Sequence, residues 1–367
     1  MFYNQLNRQI SCKLENSLLM FLYIIRLKEI LNNPSLLDLN AEFLALNSSK
    51  KPPILIYGRS LGEAVLKSKD FIPSNLIEYF KAINNIPNSK FPFLERYFKE
   101  SPLFLNDINQ ARARESLLIT YKKIEENLID WLPAFTKNYL NGIRNNHVNN
   151  PIKIAEDFTN GVFKKIILML LECEEELLID FPDGILNLYK SAKSLEDYEQ
   201  NLKDLFAFIE HKLIIKNNHP SDAWKIISVL VMGYEPILNS LAFSMSLNKE
   251  HEIKWNAENF LMELSPISFV VRLSTKALIL DKLNIQDGQA VYVSLNLINH
   301  LNDKQKKLEK NNSFSFGMGK HMCPGRRISL IIVQAFIDEW INFNEINVAY
   351  DQLITSRDLV FRLKENV

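Results

Sequence analysis

The sequence predicts a mainly α-helical single domain with small β-sheets, and three observations carry that reading. Helical patterns fill about 107–125, 126–145, 151–174 and 180–216, separated by Asn, Pro and Gly punctuation such as Asn149-Asn150-Pro151 and Pro182-Asp183-Gly184. The stretch SDAWKIISVLVMGYEPILNSLAFSMSL at 221–247 is apolar nearly all round, which marks a buried helix. Strand-like runs are short: PILIYG at 53–58, ALIL at 277–280 and NIQDGQAVYVSLNLI at 284–298, with Asp287-Gly288 as a turn signal. No internal repeat or low-complexity linker divides the chain, so 1–367 reads as one domain.

Composition narrows the class. The chain has 367 residues, 47% hydrophobic and 23% charged, the proportions of a folded globular protein. Lys+Arg and Asp+Glu both number 43, so charge gives no reason to expect a nucleic-acid partner. Cys12, Cys173 and Cys323 are too scattered for a disulfide framework, which fits a reducing cytoplasm. The apolar run LLMFLYII at 18–25 falls far short of a membrane span. Glu15 precedes it and no small-residue cleavage site follows, so 14–31 reads as an amphipathic helix.

In chain order, 33–50 reads as a connection, 53–58 as a strand and 60–71 as a helix. Pro73-Ser74 opens a loosely patterned stretch to about Pro102 that holds Phe80, Phe91, Phe93 and Phe98. Asp107 opens the next helix, which carries Gln110, Arg112 and Arg114. Val162, Ile166, Ile167, Leu170 and Leu171 make an apolar helical face. In the 221–247 helix, Ser221 or Asp222 can cap the start. Pro236 in its middle has no N–H for the Met232 carbonyl, so a kink is expected there, or else a break into two helices. Residues 256–272 read as a helix ending near Pro266, followed by a strand, and the last strands fall near 345–362.

The chemistry concentrates at 314–327, FSFGMGKHMCPGRR. Gly317, Gly319 and Gly325 let backbone crowd around one sulfur, that of Cys323. Pro324 suits the first position of the helix that runs to about Trp340, and a helix N-terminus favours a thiolate at Cys323. Such a thiolate is a ligand for a soft or borderline metal. The alternatives are a buried structural cysteine, or a zinc site with His321, which has no second Cys/His pair nearby.

This stretch resembles the haem-ligating loop of the cytochrome P450 family, Phe-Gly-x-Gly-x-(His/Arg)-x-Cys-x-Gly. Phe316, Gly317, Gly319, His321, Cys323 and Gly325 all fall in place. The resemblance implies haem b, lying between the long central helix and this loop, with Cys323 as axial ligand to iron. It implies Phe316 packing on the proximal haem face, and His321, Arg272 and Arg114 on the propionates. Gln110 stands where relatives carry a histidine, and can still donate a hydrogen bond. Arg112 and Arg114 also read as solvated helix charges. The Phe-rich stretch before Pro102 is either the roof of a substrate pocket or ordinary packing. The resemblance spans roughly 50–367, leaving 1–50 as a divergent N-terminal segment.

Two departures bear on mechanism. Relatives carry (Ala/Gly)-Gly-x-(Glu/Asp)-Thr on the central helix, and this chain has Met232-Gly233-Tyr234-Glu235-Pro236. Gly233 and Glu235 match, but Pro236 replaces the threonine hydroxyl used in proton delivery, leaving Glu235 as the acid. The Glu-x-x-Arg pair of relatives is absent, with Asn259 and Met262 at its positions, and DKQKKLEKNN at 303–312 lacks its arginine partner. Loss of a whole ionic set is nearly neutral, where loss of one member is not.

The implied substrate pocket takes Met232, Ile267, Phe269, Val270 and Ile354, the last in a loop at 353–356. The implied function is a haem-thiolate monooxygenase acting on a small organic molecule, in secondary-metabolite biosynthesis, with a ferredoxin or flavodoxin as electron donor. Lys306, Lys307, Lys310, Lys320, Arg326 and Arg327 are either a docking face for that donor or a solvated run. The alternatives are peroxide-driven, isomerising, dehydrating or coupling chemistry, including on a carrier-tethered substrate, and a degenerate protein that only binds haem.

Overall fold

The computed structural model of the protein describes residues 43–45, 51–73, 91–146, 150–173, 195–216, 219–245, 256–263, 265–267, 269–304, 313–342, 353–355 and 361–363. Helices dominate: α1 Arg59–Lys67, α2 Pro92–Glu100, α3 Asp107–Asn146, α4 Pro151–Leu171, α5 Leu195–Ile215, α6 Ala223–Ser244, α7 Ala257–Glu263, α8 Leu295–Lys304 and α9 Arg326–Trp340. The strands are β1 Phe43–Ala45, β2 Ile54–Ile56, β3 Phe71–Pro73, β4 Phe269–Ser274, β5 Leu278–Leu280, β6 Leu283–Ile285, β7 Ala290–Ser294, β8 Leu353–Thr355 and β9 Phe361–Leu363. The main sheet runs β1-β2-β7-β4-β3, and β5-β6 and β8-β9 form two ribbons. Within the main sheet β2 and β7 pair in parallel and the other neighbours antiparallel. The expected mainly helical fold with small sheets is the one observed.

Two apolar cores divide the work. The larger packs α2 to α7 and α9 together, with Phe158, Phe163, Phe206, Phe243 and Phe336 among its fully buried side chains. The smaller packs α1 against β2, β6 and β7, and includes Phe314. The 313–325 loop spans the two: Phe314 is anchored in the small core, while Phe316 and then Ile328 and Ile332 of α9 pack on the large one. Cys323 is therefore held between two separately packed units.

Local chemistry explains the main boundaries. Asn150 caps α4, its side chain accepting from the Ile152 and Lys153 N–H groups, with Pro151 just inside. Glu172 closes that helix in the left-handed region at φ 52°. The helix α6 is buried along nearly its whole length, as its all-round apolarity demands. With its preceding turn, Pro220–Ser244 is long and apolar enough to cross a membrane, but 83% of that apolar window is buried within the protein, which makes it a core helix.

Several elements differ from expectation. The helices expected at 107–125 and 126–145 are one helix, α3, because nothing at Glu125-Glu126 breaks the chain and the helix continues through Pro133. Likewise α6 continues through Pro236 without a break. Asp222 precedes α6 but accepts no capping bond; it pairs instead with Lys225 at 2.8 Å. The helix expected at 60–71 ends at Lys67, and Phe71–Pro73 pairs with β4 as a strand. Leu295–Ile298, expected as strand, opens α8, since a short apolar run fits either period. Residues 353–355, expected in a loop, form β8, where Ile354 pairs with Arg362 of β9. The expected helix at 14–31 and Lys306, Lys307 and Lys310 lie outside the described residues.

Candidate haem-thiolate site

The cysteine loop folds back on itself. The Cys323 N–H donates to the Phe316 carbonyl and the Gly317 N–H to the Phe314 carbonyl, each at 2.8 Å. Gly317 and Gly319 have φ of +67° and +70°, a region that side chains disfavour. A Cβ on Gly319 would stand 2.5 Å from the Leu66 carbonyl oxygen, so the loop presses against the end of α1. The helix α9 begins at Arg326, with Gly325 before it, and not at Pro324. That corrects the expected helix start by two residues and sets Cys323 further from the helix N-terminus. Burial pushes the Cys323 thiol above its ordinary pKa, opposed by the Gly325 backbone and by Arg114. The expected thiolate is therefore not formed by the helix end alone; metal coordination, which strips a thiol proton outright, is what would form it.

Helix α3 lies along the loop. Gln110, buried, donates from Nε2 to the Lys320 carbonyl at 2.9 Å, and Arg114 donates from Nη1 to the Met322 carbonyl at 2.6 Å. These bonds fasten the chain on both sides of His321. Tyr121, one further residue missed by sequence reasoning, packs on Gly325, with its ring carbons 3.5–3.6 Å from where a Cβ there would stand. Burial and then the neighbouring Cys323 raise its phenol pKa. Only its helical spacing from Arg114, seven residues on, marked it in advance.

Two nitrogen-bearing side chains beside the loop, Arg272 and His321, have no counter-charge among the described residues. Arg272 on β4 is 6% exposed, and its Nη1 donates to the Val271 carbonyl at 2.8 Å. Desolvation pulls its pKa from the ordinary guanidinium value down to about 10. Both ring nitrogens of His321 are buried without a partner. Desolvation, then the charges of Arg272, Lys320 and Arg114, push its pKa down to about 4. Among the described residues neither Arg272 nor His321 meets a carboxylate. A buried, uncompensated cation and an orphaned imidazole are costly, and they fit a bound anion beside them. These residues therefore fit a haem: Cys323 for the iron, His321 and Arg272 for the propionates. Arg114 and Gln110 make their described bonds to the loop backbone. Among the described residues no cluster of three His, Cys, Asp or Glu side chains offers another metal site.

The central helix supplies the opposite wall of the large core. At Gly233 a Cβ would stand 3.2 Å from Phe163 Cζ, so α6 and α4 pack closely there. Tyr234 donates to Asn160 Oδ1 at 2.5 Å. Glu235 is 7% exposed and is the carboxyl group of α6. Past Pro236, Asn239 Nδ2 donates to the Glu235 carbonyl at 2.9 Å and Ser240 Oγ to the Pro236 carbonyl at 2.7 Å. Such back-bonding side chains bend helices.

Of the expected pocket residues, Met232 is half-buried on α6 and accepts a long contact of 4.0 Å from Ser101. Phe269 is buried edge-on to Tyr292, with centroids 5.3 Å apart, and Ile267 and Val270 pack on the small core. Of the basic cluster, Arg327 pairs with Glu125 at 2.9 Å and Arg326 pairs with Glu258, which reduces its net positive charge.

No protein-family model matches the sequence, and no curated protein matches it. Solved structures do. P450BioI, in a complex with hexadec-9Z-enoic acid ligated acyl carrier protein, superposes with TM-score 0.70 at 17% identity, covering 91% of this chain and 98% of that one. The cytochrome P450 PksS of the Bacillus subtilis 168 bacillaene polyketide synthase gives TM-score 0.68 at 18% identity, covering 92% and 96%. P450 RauA, complexed with a biosynthetic intermediate of aurachin RE, gives 0.67 at 15%, covering 88% and 91%. This chain has the cytochrome P450 fold.

Proposed function

We propose that the protein is a haem-thiolate oxidoreductase that holds haem b between α6 and the cysteine loop and oxidises a small organic molecule. The observation that carries the reading is the set of uncompensated groups beside Cys323: buried Arg272 and the two orphaned His321 nitrogens. When bound, the haem supplies oxidising power tuned by its thiolate ligand. The chain supplies the rest. Gln110 and Arg114 hold the loop, Arg272 and His321 orient the propionates, and Phe314 and Phe316 exclude water around the sulfur. Glu235, the carboxyl group of α6, serves proton delivery.

Secondary-metabolite biosynthesis is the setting that the fold relatives support, since they include a cytochrome P450 of the bacillaene polyketide synthase and one complexed with a biosynthetic intermediate of aurachin RE. A substrate tethered to a carrier protein belongs to the same reading, as in P450BioI. The electron donor is a ferredoxin or flavodoxin, and the compartment is the cytoplasm. Pro236 favours a second reading, in which the reaction is peroxide-driven, isomerising, dehydrating or coupling, because the helix offers no hydroxyl at that position.

The test is a haem titration of the purified chain followed by turnover assays. Uptake of one haem b per chain supports both readings. Turnover that needs reductant and dioxygen selects the first, and turnover with peroxide alone or with neither selects the second. Failure to take up haem overturns both.

A further inference from the structure

We propose that Asn299 is a positioning residue for the cysteine loop, acting with Ser315 as a neutral lock between α7, α8 and Cys323. The sequence lacks the Glu-x-x-Arg pair, so charge on α7 cannot tie the loop in that way. A different set of bonds occupies the junction. Asn299 on α8 is 4% exposed and binds the loop at two points: its Oδ1 accepts from the Phe314 N–H and its Nδ2 donates to Ser315 Oγ, each at 2.9 Å. Ser315, 7% exposed, passes the connection on, its Oγ donating to the Leu261 carbonyl of α7 at 2.5 Å. The Ser313 hydroxyl donates to Ser315 Oγ at 2.9 Å and accepts from the Ser315 N–H at 3.2 Å. Ser315 Oγ thus uses its donor and both acceptor sites, the full capacity of a hydroxyl.

The lock reaches Cys323 through one peptide link and one hydrogen bond. Ser315 precedes Phe316, whose carbonyl takes the Cys323 N–H. Glu258 of α7 adds a half-exposed ion pair to Arg326 at the other end of the loop. A buried network with every central member satisfied rigidifies one geometry, and no member carries a charge whose partner must be kept. The inference concerns how Cys323 is held, and its spectroscopic arm rests on the haem reading above.

The test compares the full-length wild type with Asn299→Ala, Ser315→Ala and, as control, Thr136→Ala, which deletes a buried hydroxyl bond to Leu132 at a remote point of α3. Amide hydrogen exchange over 313–323 is read first. The lock predicts about tenfold faster exchange there in both lock variants and none in the control. The carbon monoxide adduct of the reduced haem protein is read second, and the lock predicts a smaller share of the thiolate-type Soret band in the lock variants only. Unchanged loop exchange, an equal effect in the control, or faster exchange with a wild-type spectrum each overturns the proposal. A wild type without haem defeats the function proposed above, while the exchange comparison still decides whether the lock exists.

Discussion

Replacing Arg272 with methionine should move the haem-free and haem-loaded proteins in opposite directions. Desolvation lowers the Arg272 pKa from the ordinary guanidinium value to about 10. At 1.36 kcal/mol per unit, that shift corresponds to about 3 kcal/mol against folding while the site is empty. The bond to the Val271 carbonyl returns about 1 kcal/mol, so methionine should raise haem-free stability by about 2 kcal/mol. The sign follows from linkage. A base whose folded pKa is depressed opposes folding fully below the folded value, here about 10, and the opposition fades as pH rises from there toward the ordinary guanidinium value. Across ordinary pH the gain should therefore be constant. In the haem-loaded protein the same change removes the partner of an anion, so haem retention should fall. Urea unfolding of haem-free protein at pH 6 to 9, paired with haem titration, reads both effects. A haem-free Arg272→Met protein that is less stable than wild type would refute the claim that this arginine waits for an anion.

Three further outcomes follow from the same geometry. Gly319→Ala should cost about 2 kcal/mol or more and prevent seating of the loop, because a Cβ meets the Leu66 carbonyl at a positive φ; haem stoichiometry and thermal melting report it, and wild-type uptake contradicts it. Gln110→Ala should cost about 1–2 kcal/mol by orphaning the Lys320 carbonyl, and Gln110→His should recover part of that; equal urea midpoints for the alanine variant and wild type would show that the clamp adds nothing. Pro236→Ala should stabilise the protein by about 1–2 kcal/mol by restoring an N–H to α6; an unchanged or lower melting temperature would mean that the helix is packed around the ring.

What the sequence revealed and what it hid follow from distance along the chain. The cysteine loop was legible because its requirements are local: positive φ at Gly317 and Gly319 and a sulfur in their midst. The buried helix α6 was legible because apolarity on every face leaves no solvent side. The partners were hidden. Gln110 and Lys320 lie 210 residues apart and Ser315 and Leu261 54 apart, and nothing in either local pattern announces the pairing. Asn299 was doubly hidden, as a polar residue just past an apolar run that reads as strand but folds as α8. The helix α2 was missed although Leu94, Tyr97 and Phe98, at i, i+3 and i+4, form its buried face: it is nine residues long, too short for the period to stand out in a Phe- and Pro-rich stretch.

The central claim is that Cys323 binds haem iron as a thiolate. The most direct measurement is the absorption spectrum of the reduced protein under carbon monoxide, for wild type and Cys323→His. The account predicts the red-shifted Soret band of a thiolate adduct in wild type and its replacement by a histidine-type band in the variant. A wild-type spectrum already of the histidine type, or the same band in both proteins, would contradict it.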